Sequence, residues 1–249
     1  MATNHLQSMA PPKIITSANG DAVAEALCNE MESAYSNLGK PSNFIIGLSG
    51  GSLPKFFLAA AKKANLNWSE VKFIFCDERL VAFDDKESTF GVFKESVIGK
   101  IEGISENNFV TVDVSLPPEK AAEDYEKKLK TLNCTTSEDG FPRFDVLLLG
   151  MGPDGHTCSL FPNHPLLEEK SKIVAHITDS PKPPPERVTL TYPVLNNAKN
   201  VIFVSTGDGK KDVIEKILKN QDATFPATRV SPINGNLIWI LDEAAASKL

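Results

Sequence analysis

No apolar run in this chain approaches the roughly 20 residues a helix needs to cross a bilayer, so a membrane-spanning helix is excluded. The opening residues, MATNHLQSMAPPK, lack the apolar core of a secretion signal and read as a short disordered leader over residues 1–13. Cysteine is scarce and unpatterned. Cys28, Cys76, Cys134 and Cys158 form no CxxC spacing, which argues against zinc and for free thiols in a reducing compartment. The cytoplasm is the expected location. Basic charge is in the minority: 26 Lys+Arg against 32 Asp+Glu give a formal net charge of −6. That balance disfavours nucleic acid and acidic membrane as partners, yet leaves room for a local phosphate site. A Walker pattern is also missing, and the SGGS turn, Ser49 to Ser52, is not GxGxxG, so that turn does not indicate a nucleotide.

What is present centres on FDVLLLGMGPDGHTCSLFPNHP, Phe144 to Pro165. Val146 to Leu149 are continuously apolar, as in a parallel strand covered on both faces. The strand runs into Gly150, Gly152 and Gly155, a loop that offers an acid, Asp154, and an imidazole, His156. Ligands in open α/β sheets sit beyond the carboxyl ends of strands, so this is the expected active-site loop. His156 suits general-base work near neutral pH. Asp154 is placed to orient it or to bind substrate hydroxyls. His164 is a weaker candidate, and His176, inside an expected strand over Ile173 to Ile177, reads as structural.

Further strand ends carry polar chemistry. NFIIGL, Asn43 to Leu48, meets Ser49, Gly50, Gly51 and Ser52 just before a helix expected over Leu53 to Ala64. Free amides at a helix start favour an anion, although a tight strand–helix turn explains the glycines equally well. VKFIFC, Val71 to Cys76, ends in Asp77, Glu78 and Arg79, either a solvated turn or an acid and a cation facing the cleft. Ser88 is a candidate cap for a helix running through Phe93 to Ile98. Phe109 to Val114 reads as a strand and Pro118 to Leu132 as an amphipathic helix. Arg187 precedes the strand VTLT. Val201 to Ser205 runs into TGDGKK, where Lys210 starts a helix to Leu218 and is either a surface lysine or a phosphate ligand. Leu237 to Leu241 is the last strand. Strands alternating with helices predict a three-layer α/β fold, a largely parallel sheet flanked by helices.

These segments are together familiar. GLSGGSLPK, CDERLV, DDKESTFGVF, LLLGMGPDGHTCSLFPNHP, SPKPPPERVTLT, VSTGDGKK and LIWILDEAA resemble the 6-phosphogluconolactonase family over Ile14 to Ala246, nearly the whole chain. The resemblance implies one domain over residues 14–249, a fold related to glucosamine-6-phosphate deaminase, and hydrolysis of a phosphosugar lactone. It makes His156 the general base that activates water, with Arg79 offsetting developing charge. Ser49, Gly50, Gly51 and Lys210 would hold the 6-phosphate, Arg187 would assist, and Asp77 and Asp154 would orient groups in the cleft. No metal or other cofactor is expected, because the lactone is already reactive and the base is a side chain. A monomer is expected. The deaminase or isomerase alternative asks for an acid five residues after the loop histidine, where this chain has Phe161. A second alternative, a non-catalytic sugar-phosphate sensor, usually needs an attached DNA-binding module, and the residues before the first helix are too few for one.

Overall fold

A computed structural model describes residues 11–39 and 43–249. Among the described residues, seven strands form one parallel sheet. They are β1 (Lys13–Ser17), β2 (Phe44–Leu48), β3 (Val71–Phe75), β5 (Phe109–Val110), β6 (Val146–Leu149), β9 (Asn200–Ser205) and β10 (Asn236–Asp242), in the order β1-β10-β9-β6-β2-β3-β5. A small antiparallel sheet, β4-β8-β7, is made of β4 (Asp77–Arg79), β8 (Arg187–Leu190) and β7 (Val174–Ile177). The helices are α1 (Gly20–Asn37), α2 (Leu53–Ala61), α3 (Thr89–Ser96), α4 (Pro118–Lys130), α5 (Tyr192–Leu195), α6 (Lys211–Leu218) and α7 (Glu243–Ala246).

The central strands are apolar throughout because both faces are covered. FIIGL of β2, VLLL of β6 and NVIFVS of β9 are buried at every position. An aromatic cluster of Phe57, Trp68, Phe73, Phe93 and Phe109 fills the space between β3 and helices α2 and α3. At the amino edge, Asp145 ties three strands together. Its carboxylate accepts from the Ile45 N–H (2.8 Å) and the Lys199 ammonium (2.7 Å), and its carbonyl accepts from Asn200 (2.9 Å).

The elements match the expected three-layer arrangement, with differences that have local causes. Lys13, expected to close the leader, opens β1, which pairs with β10; the rest of the expected leader up to residue 10 lies outside the described residues. The Phe109 strand stops after Val110. Beyond it the Tyr125 hydroxyl takes the place of a neighbouring strand, accepting from the Phe75 N–H (2.6 Å) and donating to the Phe75 carbonyl (3.0 Å). Asp77 to Arg79 is a strand, not a turn. At Cys76 the chain changes sheets: its N–H donates to Leu48 in the parallel sheet, while its carbonyl accepts from Leu190 in the antiparallel one.

Glu78, fully buried, fastens this crossover to α3. Its carboxylate accepts from the backbone N–H groups of Arg79 (2.8 Å), Thr89 (2.6 Å) and Phe90 (2.8 Å). Burial nevertheless pushes the carboxyl up to about 7, so folding takes up a proton there. That contribution is fully present below the ordinary value of 4.5 and is lost as pH rises through about 7. Urea unfolding across this window is expected to show stability falling with pH, and Glu78→Gln is expected to lose that slope. An identical slope in the variant would assign the effect elsewhere. For Tyr125→Phe, which leaves the buried Phe75 N–H and carbonyl unpaired, a loss of about 1–3 kcal/mol is expected in the same assay. A change within error would mean that other groups satisfy them.

Candidate active site

Strands β9, β6, β2 and β3 are consecutive neighbours in the sheet, and the polar segments singled out in the sequence leave their carboxyl ends. With neighbouring strands about 4.8 Å apart, the turns after β9 and β2 begin roughly 10 Å from one another. That is comparable to the length of a sugar phosphate.

One end has features that favour an anion. The turn from Ser49 to Ser52 leads into α2, and the Ser49 N–H donates to Leu148 of β6 (3.1 Å). Gly51 has φ +72°, where a side chain would strain the backbone. The free amides of the α2 start favour negative charge. A pocket of about 210 Å³ opens there, lined by Gly50, Gly51, Arg79, Lys86, Glu87 and Thr89, among others. Ser49 Oγ, Thr89 Oγ1 and Arg79 Nε are buried in this region with no hydrogen-bond partner among the described residues. Buried orphan donors are uncommon and call for an explanation. Phosphate oxygens are acceptors of the kind they lack. Arg79 also donates through Nη1 to the Glu87 carbonyl (2.8 Å) and carboxylate (3.3 Å). It stands directly across from Arg187 in the β4–β8 ladder. Like charges so paired cost stability, a local conflict of the kind that marks functional sites.

The other end is the loop after β6. The Gly152 N–H donates to the His156 carbonyl and the Gly155 N–H to the Gly152 carbonyl, both at 2.9 Å, curling the loop on itself. A side chain at 152 has no room: a Cβ there would lie 2.1 Å from His156 Cε1 and 2.6 Å from Asp154 Oδ1. Within this tight turn His156 Nδ1 lies 2.5 Å from Asp154 Oδ1. The imidazole packs on the buried Phe161 ring, centroids 4.8 Å apart, and stays about 18% exposed. Burial alone would raise the Asp154 carboxyl, but hydrogen bonds and charge from His156 and Lys182 outweigh it and hold the group well below the usual carboxylate range. The two ends adjoin, since a Cβ on Gly150 would sit 3.9 Å from the Gly50 carbonyl.

Lys182 is the residue the sequence reading missed. Its ammonium is 3.0 Å from Asp154 Oδ1 and 3.1 Å from His156 Nδ1. A lysine among prolines reads as a linker, and only the folded chain brings it to the dyad. Thr89 was missed as well, hidden in a helix start. Lys210, in the single turn Asp208–Lys210 after β9, has its pKa lowered by burial, with Asp242 opposing and the charge of Lys182 adding. Lys182 thus lies within electrostatic reach of both Lys210 and the dyad.

Other candidates have structural employment. Arg187 is buried, and its guanidinium donates to the carbonyls of Lys182 (2.9 Å), Pro183 (3.1 Å) and Pro184 (3.0 Å). Asp77 is buried and accepts from Ser159 (2.9 Å), which ties the β6 loop to β4. His164 Nδ1 accepts from the Leu166 N–H (3.1 Å), capping a turn, while its Nε2 lies 3.1 Å from Asp179. The Cys158 thiol is pushed up by its contact with Cys76 and by burial, which makes it a poor nucleophile.

A glycine turn with unpartnered donors and an acid–imidazole pair at one edge of a parallel sheet define an α/β protein whose candidate ligand site lies beyond the carboxyl ends of its strands. The family model for glucosamine-6-phosphate isomerases/6-phosphogluconolactonase matches residues 18–239, and the chain belongs to that family. It is 51% identical over 220 residues to a 6-phosphogluconolactonase of Homo sapiens, covering 85% of this chain and 83% of the relative. Its fold superposes on a 6-phosphogluconolactonase from Trypanosoma cruzi with TM-score 0.84 at 28% identity, covering 97% and 99% of the two chains. A monomeric glucosamine-6-phosphate deaminase shares the fold alone, with TM-score 0.75 at 16% identity over 95% and 100% of the chains.

Thr89→Val replaces an unpartnered hydroxyl with a methyl of similar size. Its melting temperature is expected to equal or exceed that of the wild type. A fall of several degrees would show that the hydroxyl is hydrogen-bonded in the free protein.

Proposed function

We propose that this chain is a 6-phosphogluconolactonase, hydrolysing 6-phospho-D-glucono-1,5-lactone to 6-phosphogluconate, the second step of the oxidative pentose phosphate pathway. Family membership and the named relatives support the reaction. The single observation that carries the mechanism is the Asp154–His156 contact at 2.5 Å, beside a turn with unsatisfied donors. Asp154 is held ionised and can only accept, so this reading takes Nδ1 as the donor. Nε2 is then left with its lone pair free.

In this reading Nε2 takes a proton from water as the water oxygen attacks the lactone carbonyl. The tetrahedral intermediate then expels the ring oxygen, which recovers the proton from the imidazolium. One water is consumed and one C–O bond broken. Ser49, Gly50, Gly51, Arg79 and Lys210 hold the phosphate, with Thr89 beside them. Arg79 lies with the glycine turn, so its charge acts chiefly at the phosphate end. Asp77 and Arg187 serve by fixing the loops that carry the dyad and Lys182. The same reading takes residues 14–249 as one domain working in the cytoplasm. Phe161, where a deaminase would carry an acid, forms an apolar wall behind His156 and offers no second proton carrier.

Lactone hydrolysis, corrected for spontaneous opening, tests the reading. His156→Ala is expected to lower kcat by about 10²–10⁴-fold with KM little changed. Lys210→Ala is expected to raise KM for the phosphorylated lactone by about tenfold or more, as loss of a charge-assisted contact of about 1.5–3 kcal/mol implies. Wild-type turnover in His156→Ala would remove the histidine from the mechanism.

A further inference from the structure

Around His156 the charges come from several elements. Asp154 lies on its own loop. Lys182 reaches it from the segment before β8; Lys210, beyond β9, interacts with Lys182 and with Asp242 of β10. Arg187 of β8 lies over the same Phe161 ring, its guanidinium carbon 5.7 Å from the ring centroid. Asp77 of β4 is held off by Ser159. Of these, Asp154 and Lys182 touch the ring nitrogen directly.

With Nδ1–H donated to Asp154, the Lys182 ammonium 3.1 Å away is a second donor facing the first. With the proton on Nδ1, that nitrogen has no lone pair with which to accept from the ammonium. Both donors converge on the single oxygen Asp154 Oδ1. A carboxylate alone beside an imidazole favours the imidazolium, which is useless as a base. A cation on the same oxygen cancels much of that preference while leaving the orienting hydrogen bond intact. The placement of Lys182 is itself enforced, since Arg187 grips the carbonyls of residues 182 to 184 from a buried position.

We propose that Lys182 is the positioning residue that makes the Asp154–His156 pair a usable base. Its ammonium pins the shared carboxylate oxygen and offsets its charge, so that Asp154 orients the imidazole without holding it protonated. Arg187 acts one step further back, by fixing the segment that carries Lys182. The inference rests on the lactonase reading for its catalytic meaning, but not for its electrostatics.

The experiment compares wild type, Lys182→Met and Lys182→Arg. Background-corrected kcat/KM for lactone hydrolysis is measured from about pH 5.5 to 8, and the His156 ring protons are titrated by NMR. For Lys182→Met, the acid limb of the rate profile and the midpoint of the ring titration both move upward by about one pH unit. The plateau kcat stays within about tenfold of wild type. Lys182→Arg, which keeps the charge, returns both towards the wild-type position. An unmoved titration and limb in Lys182→Met would overturn the proposal, as would a raised KM with an unmoved limb, which would make Lys182 a substrate contact. The NMR arm needs no turnover. A wild type that fails to hydrolyse the lactone, yet shows the shifted titration in Lys182→Met, would sink the functional reading and spare this one.

Discussion

Everything at the site hangs on one short contact, the imidazole of His156 against the carboxylate of Asp154. A pair two residues apart in sequence can meet this way only if the chain between them curls tightly. That curl requires the space left by the missing side chain of Gly152. The loop is then pinned from outside: Thr157 donates to the Gly150 carbonyl, and Ser159 to Asp77. Phe161 closes the back of the ring. The buried β6 strand supplies a rigid root, so the imidazole projects from the edge of the sheet with little freedom to wander.

The rest of the architecture delivers the partners of that pair. A parallel sheet covered on both faces concentrates its polar loops at its ends. Here the neighbours of β6 are β2 and β9, so the turns that carry Ser49–Gly51 and Lys210 leave the strands on either side of the one that leads to the histidine. The switch of sheets at Cys76 bends Asp77 and Arg79 over the same edge. The buried hydroxyls of Ser49 and Thr89, without partners among the described residues, are stability forgone in the free protein. Such costs are tolerated where a ligand later satisfies the groups.

Much of this was legible in the sequence. Continuous apolar runs such as VLLL and VIFVS located the buried strands, and glycines after them located the loops. Helix starts were legible where a cap was explicit, as at Ser88, whose hydroxyl accepts from the Gly91 N–H. What escaped depended on long-range pairing. Asp77 to Arg79 is too short and charged to announce a strand, and becomes one only because β8 lies alongside. The strand at Phe109 was overextended because the Tyr125 hydroxyl, a substitute for pairing, has no local signature. Lys182 was invisible for a similar reason: its role comes from 26–28 residues away in the chain. Arg187, by resemblance a helper at the phosphate, also donates to backbone carbonyls, which nothing in its local sequence announces.

The central claim is that the dyad and the anion cradle serve one bound molecule at once. A crystal structure with 6-phosphogluconate tests it most directly. The account predicts the phosphorus between the Ser49–Gly51 turn and Lys210, and the C1 carboxylate within hydrogen-bond distance of His156 Nε2. A well-ordered product with its carboxylate turned away from His156, or its phosphate outside that cradle, would contradict it.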